Sequence, residues 1–389
     1  MQQTLSAPKT RIFFPNLDGL RFFSFLVVFL YHGHLSIFSY LKDSQPRTYS
    51  AIEFLFRHGN LGVNFFFVLS GFLITYLLIK EKEFTGTIHV PNFYVRRILR
   101  IWPLYYLCVF LGFVAFALVK KYSGQPLAEN ANPLYYIFFS ANFDIMHTWP
   151  DKPDALLLSV LWSVAVEEQF YLTWPLILKI VPLKFYKFVF PSIMLLSLVF
   201  RSFHAADNDH EFAIRYFHTF SVIGDMALGG LFAYLVSYEN KFKTFIINIS
   251  KGHIILLYLA TVFVTLFKDL LFPPGIPVVF ERIVIAFLFG MIILEQNYAK
   301  HSLFKMSSFK LVSKLGVYTY GLYCLHFLGL YFAIKVMNVM RLNGSINWVS
   351  FTMMTLALAL SIVISLMSYH FYEKRFLRWK DKFAFIVKK

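Results

Sequence analysis

Apolar residues recur along this chain in long unbroken blocks. They do not follow the strict alternation of half-buried strands or the narrow stripe of a soluble surface helix. The first block runs from about Leu20 to Leu41, and others follow at roughly 59–79, 101–119, 158–178, 185–200, 216–236, 253–270, 278–294, 315–334 and 347–370. A helix needs about 20 apolar residues to cross the hydrocarbon core of a bilayer, so the pattern predicts about ten transmembrane helices. The first block is too long for a signal-peptide core and has no small-residue cleavage site behind it, so it is read as a retained span. The stretch 132–146, NPLYYIFFSANFDIM, is apolar but too short to cross, and is expected to be re-entrant or interfacial. The run 272–277, FPPGIP, marks a turn. No internal repeat, low-complexity tract or long soluble insertion interrupts the series.

Composition supports this reading. Of the 389 residues 58% are hydrophobic, 20% are aromatic and only 15% are charged, whereas soluble domains hold roughly 45–50% apolar and about 25% charged residues. A disordered chain, a collagen-like chain and an ordinary soluble enzyme are excluded. The formal net charge of +16 would elsewhere raise nucleic acid as a partner, but membrane orientation accounts for it. With the N-terminus placed in the cytoplasm, 25 of the 37 Lys and Arg fall on the cytoplasmic side and 12 on the outer side. That is the bias of the positive-inside rule, and it predicts both termini inside, with no nucleic-acid partner. Cys108 and Cys324 lie within apolar blocks and are expected to be buried thiols, neither metal ligands nor a disulfide framework. The expected fold is an all-α integral membrane protein, a single transmembrane domain over 1–389 with a cytoplasmic tail at 1–16 and a basic cytoplasmic tail at 373–389. The expected location is the inner membrane.

Ionisable groups inside spans carry the functional information, because a carboxylate at mid-helix costs about 2.5–3.5 kcal/mol on the insertion scale. The first span reads NLDGLRFFSFLVVFLYHGH, with His32 eleven residues after Arg21. At 100° per residue the two lie about 20° apart on the helix wheel, with Asp18 about 40° to the other side of His32, so all three share a stripe. His32 is about 16 Å deeper than Arg21. In the fourth span, LWSVAVEEQFYLTWPL, Ser163, Glu167 and Tyr171 share a face at i, i+4 and i+8. Glu167 is placed near mid-span, at a depth where it is expected to meet His32 as the orienting partner of a general base. Glu168 points about 100° away, and Asp225 stands in a Gly-containing helix suited to close packing; the sequence assigns neither a role. Arg96, Arg97 and Arg100 cluster where the third span begins. Guanidinium forks suit phosphate oxygens, and arginines here also serve as ordinary positive-inside anchors.

Six segments together resemble the membrane-bound acyltransferase-3 family, O-acetylases of bacterial surface glycans. They are LDGLR at 17–21 with His32 after it, GVNFFFVLSGFLI at 62–74, FYVRRILRIWPLYY at 93–106, LWSVAVEEQFY at 161–171, YTYGLYCLHF at 318–327 and HFYEKRFLRW at 370–379. Arg375 stands where the family's closing segment usually has proline. The order matches over nearly the whole chain, and the resemblance is to the stand-alone type, without a fused extracytoplasmic domain. It implies transfer of an acyl group, usually acetyl, from cytoplasmic acyl-CoA to a hydroxyl of an extracytoplasmic or lipid-linked carbohydrate. It implies His32 as catalytic base, Glu167 positioning it, and Arg21 with Arg97 and Arg100 engaging the donor; Arg21 is also a catalytic candidate as stabiliser of the oxyanion, and Arg96 a further donor-binding candidate. A second-shell or acceptor-site role is implied for His326. Asp18, Ser70, Ser163 and Tyr171 are further candidates for substrate contact, Ser70 and Ser163 as carriers if an acyl-enzyme forms. Acetyl-CoA or another acyl-CoA is the expected donor, membrane lipids surround the chain, and no metal is expected. The alternative is a polytopic transporter or flippase for a lipid-linked sugar, which also buries charge but predicts repeated halves that the sequence lacks. Acceptor identity, acyl length and oligomeric state are not legible.

Overall fold

The computed structural model describes residues 14–383, and every regular element among them is helical. Ten helices organise the fold: α1 Pro15–Leu35, α2 Gly62–Thr85, α3 Val90–Phe110, α4 Leu161–Ile180, α5 Tyr186–Ser202, α6 Thr219–Tyr238, α7 Lys251–Leu266, α8 Ile276–Tyr298, α9 Thr319–Val339 and α10 Asn347–Met367. Seven helical segments, which hold α2, α3, α5, α6, α8, α9 and α10, are long and apolar enough to cross a membrane. An eighth span arises if α7 is joined to the helix Asn240–Ile247, from which it is bent by 90°. The two helices that fall short are α1 and α4. They have spanning lengths of 21 and 20 residues, but they carry the charged and polar groups singled out above. Large apolar side chains are exposed along α5 (Phe188, Leu195, Val199) and α7 (Leu256, Leu259, Phe263), as a surface bathed in lipid requires.

Small residues set the closest helix contacts. A β-carbon at Gly71 of α2 would run into the Met226 carbonyl of α6, and one at Gly229 of α6 would run into the Val68 carbonyl of α2. The two backbones therefore touch through reciprocal glycines, the packing mode that replaces the hydrophobic effect inside a bilayer. Gly329 of α9 likewise meets Ala357 and Ser361 of α10. α1 lies against α2, α9 and the short helix Lys310–Gly316.

The 132–146 stretch forms two short helices, Pro133–Ile137 and Ala141–Thr148, and does not cross. It is hooked to α4 through Gln169, whose Nε2 donates to Phe139 O at 2.8 Å and to Asn142 Oδ1 at 2.9 Å. The C-terminal segment is not a free tail over its described part. α10 continues through a π-type turn, Ser368–Glu373, into the helix Lys374–Lys380, which packs on α3. Of the N-terminal tail, only Phe14–Asn16 belongs to the described residues; 1–13 and 384–389 lie outside them.

Lys82 terminates α4 from a neighbouring helix. Its Nζ donates to Leu178 O at 2.6 Å and Val181 O at 2.7 Å. These are carbonyls of the last turn of α4 and just beyond it, where the helix dipole is negative. Lys82→Met keeps the stem and removes the donors, so thermal unfolding in detergent is expected to show a loss of about 1–3 kcal/mol. A variant as stable as the wild type would exclude the capping role.

Candidate active site

α1 brings Arg21 to one end of the bundle and His32 close to the other. Arg21 Nη1 meets Asp18 Oδ1 at 2.6 Å, so the stripe read from periodicity is present. His32 and Arg21, together with Arg97 and Glu167, are surrounded by protein on all sides yet keep accessible surface.

The partner of His32 is His326 of α9, not Glu167. His32 Nδ1 and His326 Nε2 are 2.9 Å apart, and the rings lie 5.0 Å apart at 25°. The protonation pattern follows from the next contact along. His326 Nδ1 is 2.7 Å from Tyr323 O, and a carbonyl only accepts, so that nitrogen carries the proton. In the neutral ring Nε2 is then an acceptor. His32 Nδ1 must donate to it, which leaves the lone pair of His32 on Nε2. Nothing among the described residues bonds that nitrogen. The wall here is apolar: Phe327 lies 4.7 Å from both imidazoles, and Phe25 and Phe29 flank His326. An oriented neutral imidazole with one free nitrogen in an apolar wall has the arrangement of a general base.

Glu167 misses His32 because of helix register. Ser163 Oγ meets Tyr323 Oη at 2.7 Å, which aligns α4 with α9. Glu167 lies one turn from Ser163 toward the Arg21 end, and His326 lies almost one turn from Tyr323 the other way. The two are thus about 10 Å apart along the bundle. Glu167 joins a different group. Tyr171 Oη donates to Glu167 Oε2 at 3.1 Å and lies 2.5 Å from Ser70 Oγ. With its own proton on Glu167, Tyr171 accepts from Ser70, giving a directed chain from Ser70 through Tyr171 to the carboxylate. The Arg97 guanidinium stacks over Tyr171 at 5.6 Å and Phe93 at 5.5 Å. Glu168 accepts from Trp102 Nε1 at 2.9 Å, so it braces α4 against α3.

The three clustered arginines separate. Arg96 is committed to Glu81 at 3.2 Å and to Phe383 O at 2.8 Å and is a structural tie. Arg97 and Arg100 make no hydrogen bond or ion pair with the described residues, and both keep accessible surface. Arg21 lies within electrostatic range of Arg100 and Tyr171, and Arg97 within that of Arg100, so three guanidiniums gather at one end of the bundle. Buried Glu373 accepts from Ser368 Oγ at 2.9 Å and lies within electrostatic range of Arg100. Sequence reading passed over it, although it sits in the closing motif. No cluster suited to a metal ion occurs among the described residues.

Asp225 is held in a buried ion pair. It pairs with Arg282 of α8 at 2.8 Å, with both side chains buried. Arg282 stacks over Phe67 at 5.6 Å. Nearby Arg201 donates to the carbonyls of Val278, Val279 and Arg215.

The helical bundle thus carries a bonded pair of imidazoles at one level and unpaired guanidiniums at another. Residues 14–370 match the Acyltransferase domain family Acyl_transf_3, and the chain belongs to that family. It is similar to the peptidoglycan O-acetyltransferase OatA of Listeria monocytogenes, 26% identical over 409 residues, covering 97% of this chain and 60% of the relative. It is also similar to the O-acetyltransferase OatA of Staphylococcus aureus (strain NCTC 8325 / PS 47), 30% identical over 235 residues, covering 57% of this chain and 35% of the relative. The chain therefore spans between about a third and three-fifths of the length of these relatives. No solved structure matches.

Proposed function

We propose that this protein transfers an acyl group, acetyl in the simplest case, from acyl-CoA to a hydroxyl of a carbohydrate on or beyond the far face of the membrane. His32 is the general base. The observation that carries the reading is the His326–His32 pair, which fixes one tautomer and leaves Nε2 of His32 without a partner among the described residues.

The donor enters where Arg21, Arg97 and Arg100 meet. By the charge bias of the loops that end faces the cytoplasm of a bacterial inner membrane, the compartment that supplies acyl-CoA. Phosphates of the donor pair with the free forks of Arg97 and Arg100, and the pantetheine arm runs along the α1 stripe toward His32. His32 Nε2 then takes the acceptor hydroxyl proton as the sugar oxygen attacks the thioester carbonyl. The C–S bond breaks, and the thiolate of CoA recovers the proton from His32. Glu167 and Tyr171 belong to the donor side, where they hold Arg97 in place. The relatives' names support acetyl as the group and a cell-wall glycan as the kind of acceptor.

The test is release of free CoA from acetyl-CoA by purified protein, with and without a lysate glycan fraction. Release that requires the glycan supports transfer. No release together with no acetyl-CoA binding by the folded protein defeats it. Under the same assay Arg97→Gln with Arg100→Gln is expected to raise the acetyl-CoA KM by about 10–100-fold, since hydrogen bonds to charged groups contribute about 1.5–3 kcal/mol. An unchanged donor KM would remove these arginines from the donor site.

A further inference from the structure

Next to Tyr31, whose ring centroid lies 5.1 Å from that of His32, stands a group of hydroxyl and amide side chains that donor binding does not use. The loop before α2 packs tightly on α1: a β-carbon at Gly59 would fall 2.9 Å from Tyr31 Cβ and 2.5 Å from Val27 O. This contact brings Asn60 to the flank of Tyr31, the neighbour of His32. Asn60 Nδ2 donates to Tyr216 Oη at 3.1 Å, and Tyr216 lies within electrostatic range of Tyr31. Tyr216 stacks on Phe212 with ring centroids 5.6 Å apart and abuts Trp162 at 5.2 Å. Tyr31, Asn60 and Tyr216 all keep accessible surface, and Tyr216, like His32, is otherwise enclosed by protein.

The hydrogen-bond inventory of this group is unbalanced in a specific way. Tyr216 Oη accepts from Asn60, so its own proton is unused. Asn60 Oδ1 has no partner among the described residues and is screened from bulk water. The pair thus leaves one donor and one acceptor unpartnered, with aromatic rings next to them. A hydroxyl that both donates and accepts satisfies both, and a pyranose ring supplies such hydroxyls together with an apolar C–H face that suits aromatic walls.

We infer that Tyr216 and Asn60, with Tyr31, form the acceptor subsite, which holds a sugar hydroxyl adjacent to the one that His32 deprotonates. The inference rests on the acyltransferase reading above and adds where the carbohydrate binds. It also separates the two substrates, with guanidiniums for the donor toward one end of α1 and hydroxyls for the acceptor toward the other.

The test measures initial rates with varied glycan fraction at saturating acetyl-CoA, then with varied acetyl-CoA at saturating glycan. Tyr216→Phe removes only the hydroxyl, and Asn60→Ala removes the amide. Each is expected to raise the acceptor KM about tenfold, the factor corresponding to 1.4 kcal/mol. kcat and the acetyl-CoA KM are expected to move by much less. Size-exclusion profiles and melting in detergent check that the variants fold; if Asn60→Ala does not, Tyr216→Phe alone decides. An acceptor KM within twofold of wild type in Tyr216→Phe, or a change confined to the donor KM, overturns the subsite. His32→Ala measured alongside separates the two readings. If it keeps full transfer, the base assignment falls. If it loses transfer while Tyr216→Phe leaves acceptor KM in place, only the subsite falls.

Discussion

His32→Ala is expected to lower glycan-dependent CoA release by about 10²–10⁴-fold, the usual contribution of a positioned general base, while the folded protein still binds acetyl-CoA. The reason lies in the two hydrogen bonds behind the ring. Tyr323 O fixes the proton on His326 Nδ1, His326 Nε2 then accepts, and His32 is held with its lone pair on the outward nitrogen. His326 acts through His32 and is a positioning residue. His326→Ala should therefore lose much of the rate. His326→Gln should recover part of it, because a carboxamide also offers one donor and one acceptor. A purely structural His326 would give two variants of equal activity, with losses that follow stability. Glu167→Gln should instead act on the donor KM, because it accepts from Tyr171 and lies within electrostatic range of Arg97 and Arg100. Full transfer by a folded His32→Ala variant would end the base assignment.

Asp225→Ala should be the most destabilising single change among the charged groups, by about 3–5 kcal/mol, because it strands Arg282 without its counter-ion in a buried site. The pair is 2.8 Å apart, with side-chain exposures of 7% and 2%. The neighbouring Arg201 already saturates backbone carbonyls of α8 and the α5–α6 connection and supplies no negative charge. Removing both charges is predicted to cost far less. Asp225→Leu with Arg282→Met replaces the pair by apolar side chains, an exchange that is often neutral or stabilising. Thermal unfolding in detergent checks the order: Asp225→Ala well below the double variant, and the double variant near wild type. If the double variant folds and keeps transfer, the pair is a structural tie between α6 and α8. If it folds but is inactive, Asp225 takes part in function after all.

Much of this architecture is legible locally. Blocks of apolar residues mark the spans because the bilayer demands length and apolarity from each helix separately. The shared stripe of Asp18, Arg21 and His32 is legible because helical periodicity is a property of one segment. The separation of Arg96 from Arg97 and Arg100 is not: all three precede the same span, and only the neighbours Glu81 and Phe383 mark Arg96 as occupied. Arg282 shows the same limit. It falls inside the apolar block 278–294 with no partner visible in its own segment, and only the packing of α8 on α6 makes it the counter-ion of Asp225.

The sequence by itself thus determined the all-helical membrane architecture, the family and the helix faces on which Asp18, Arg21 and His32 lie. The tertiary structure alone decided which of those residues meet. His32 bonds His326 instead of Glu167 because the depth of a side chain depends on where its helix begins relative to its neighbours. That offset is set by packing between helices, such as Ser163 on Tyr323 and Gly59 on Tyr31, and no periodicity within a single helix encodes it.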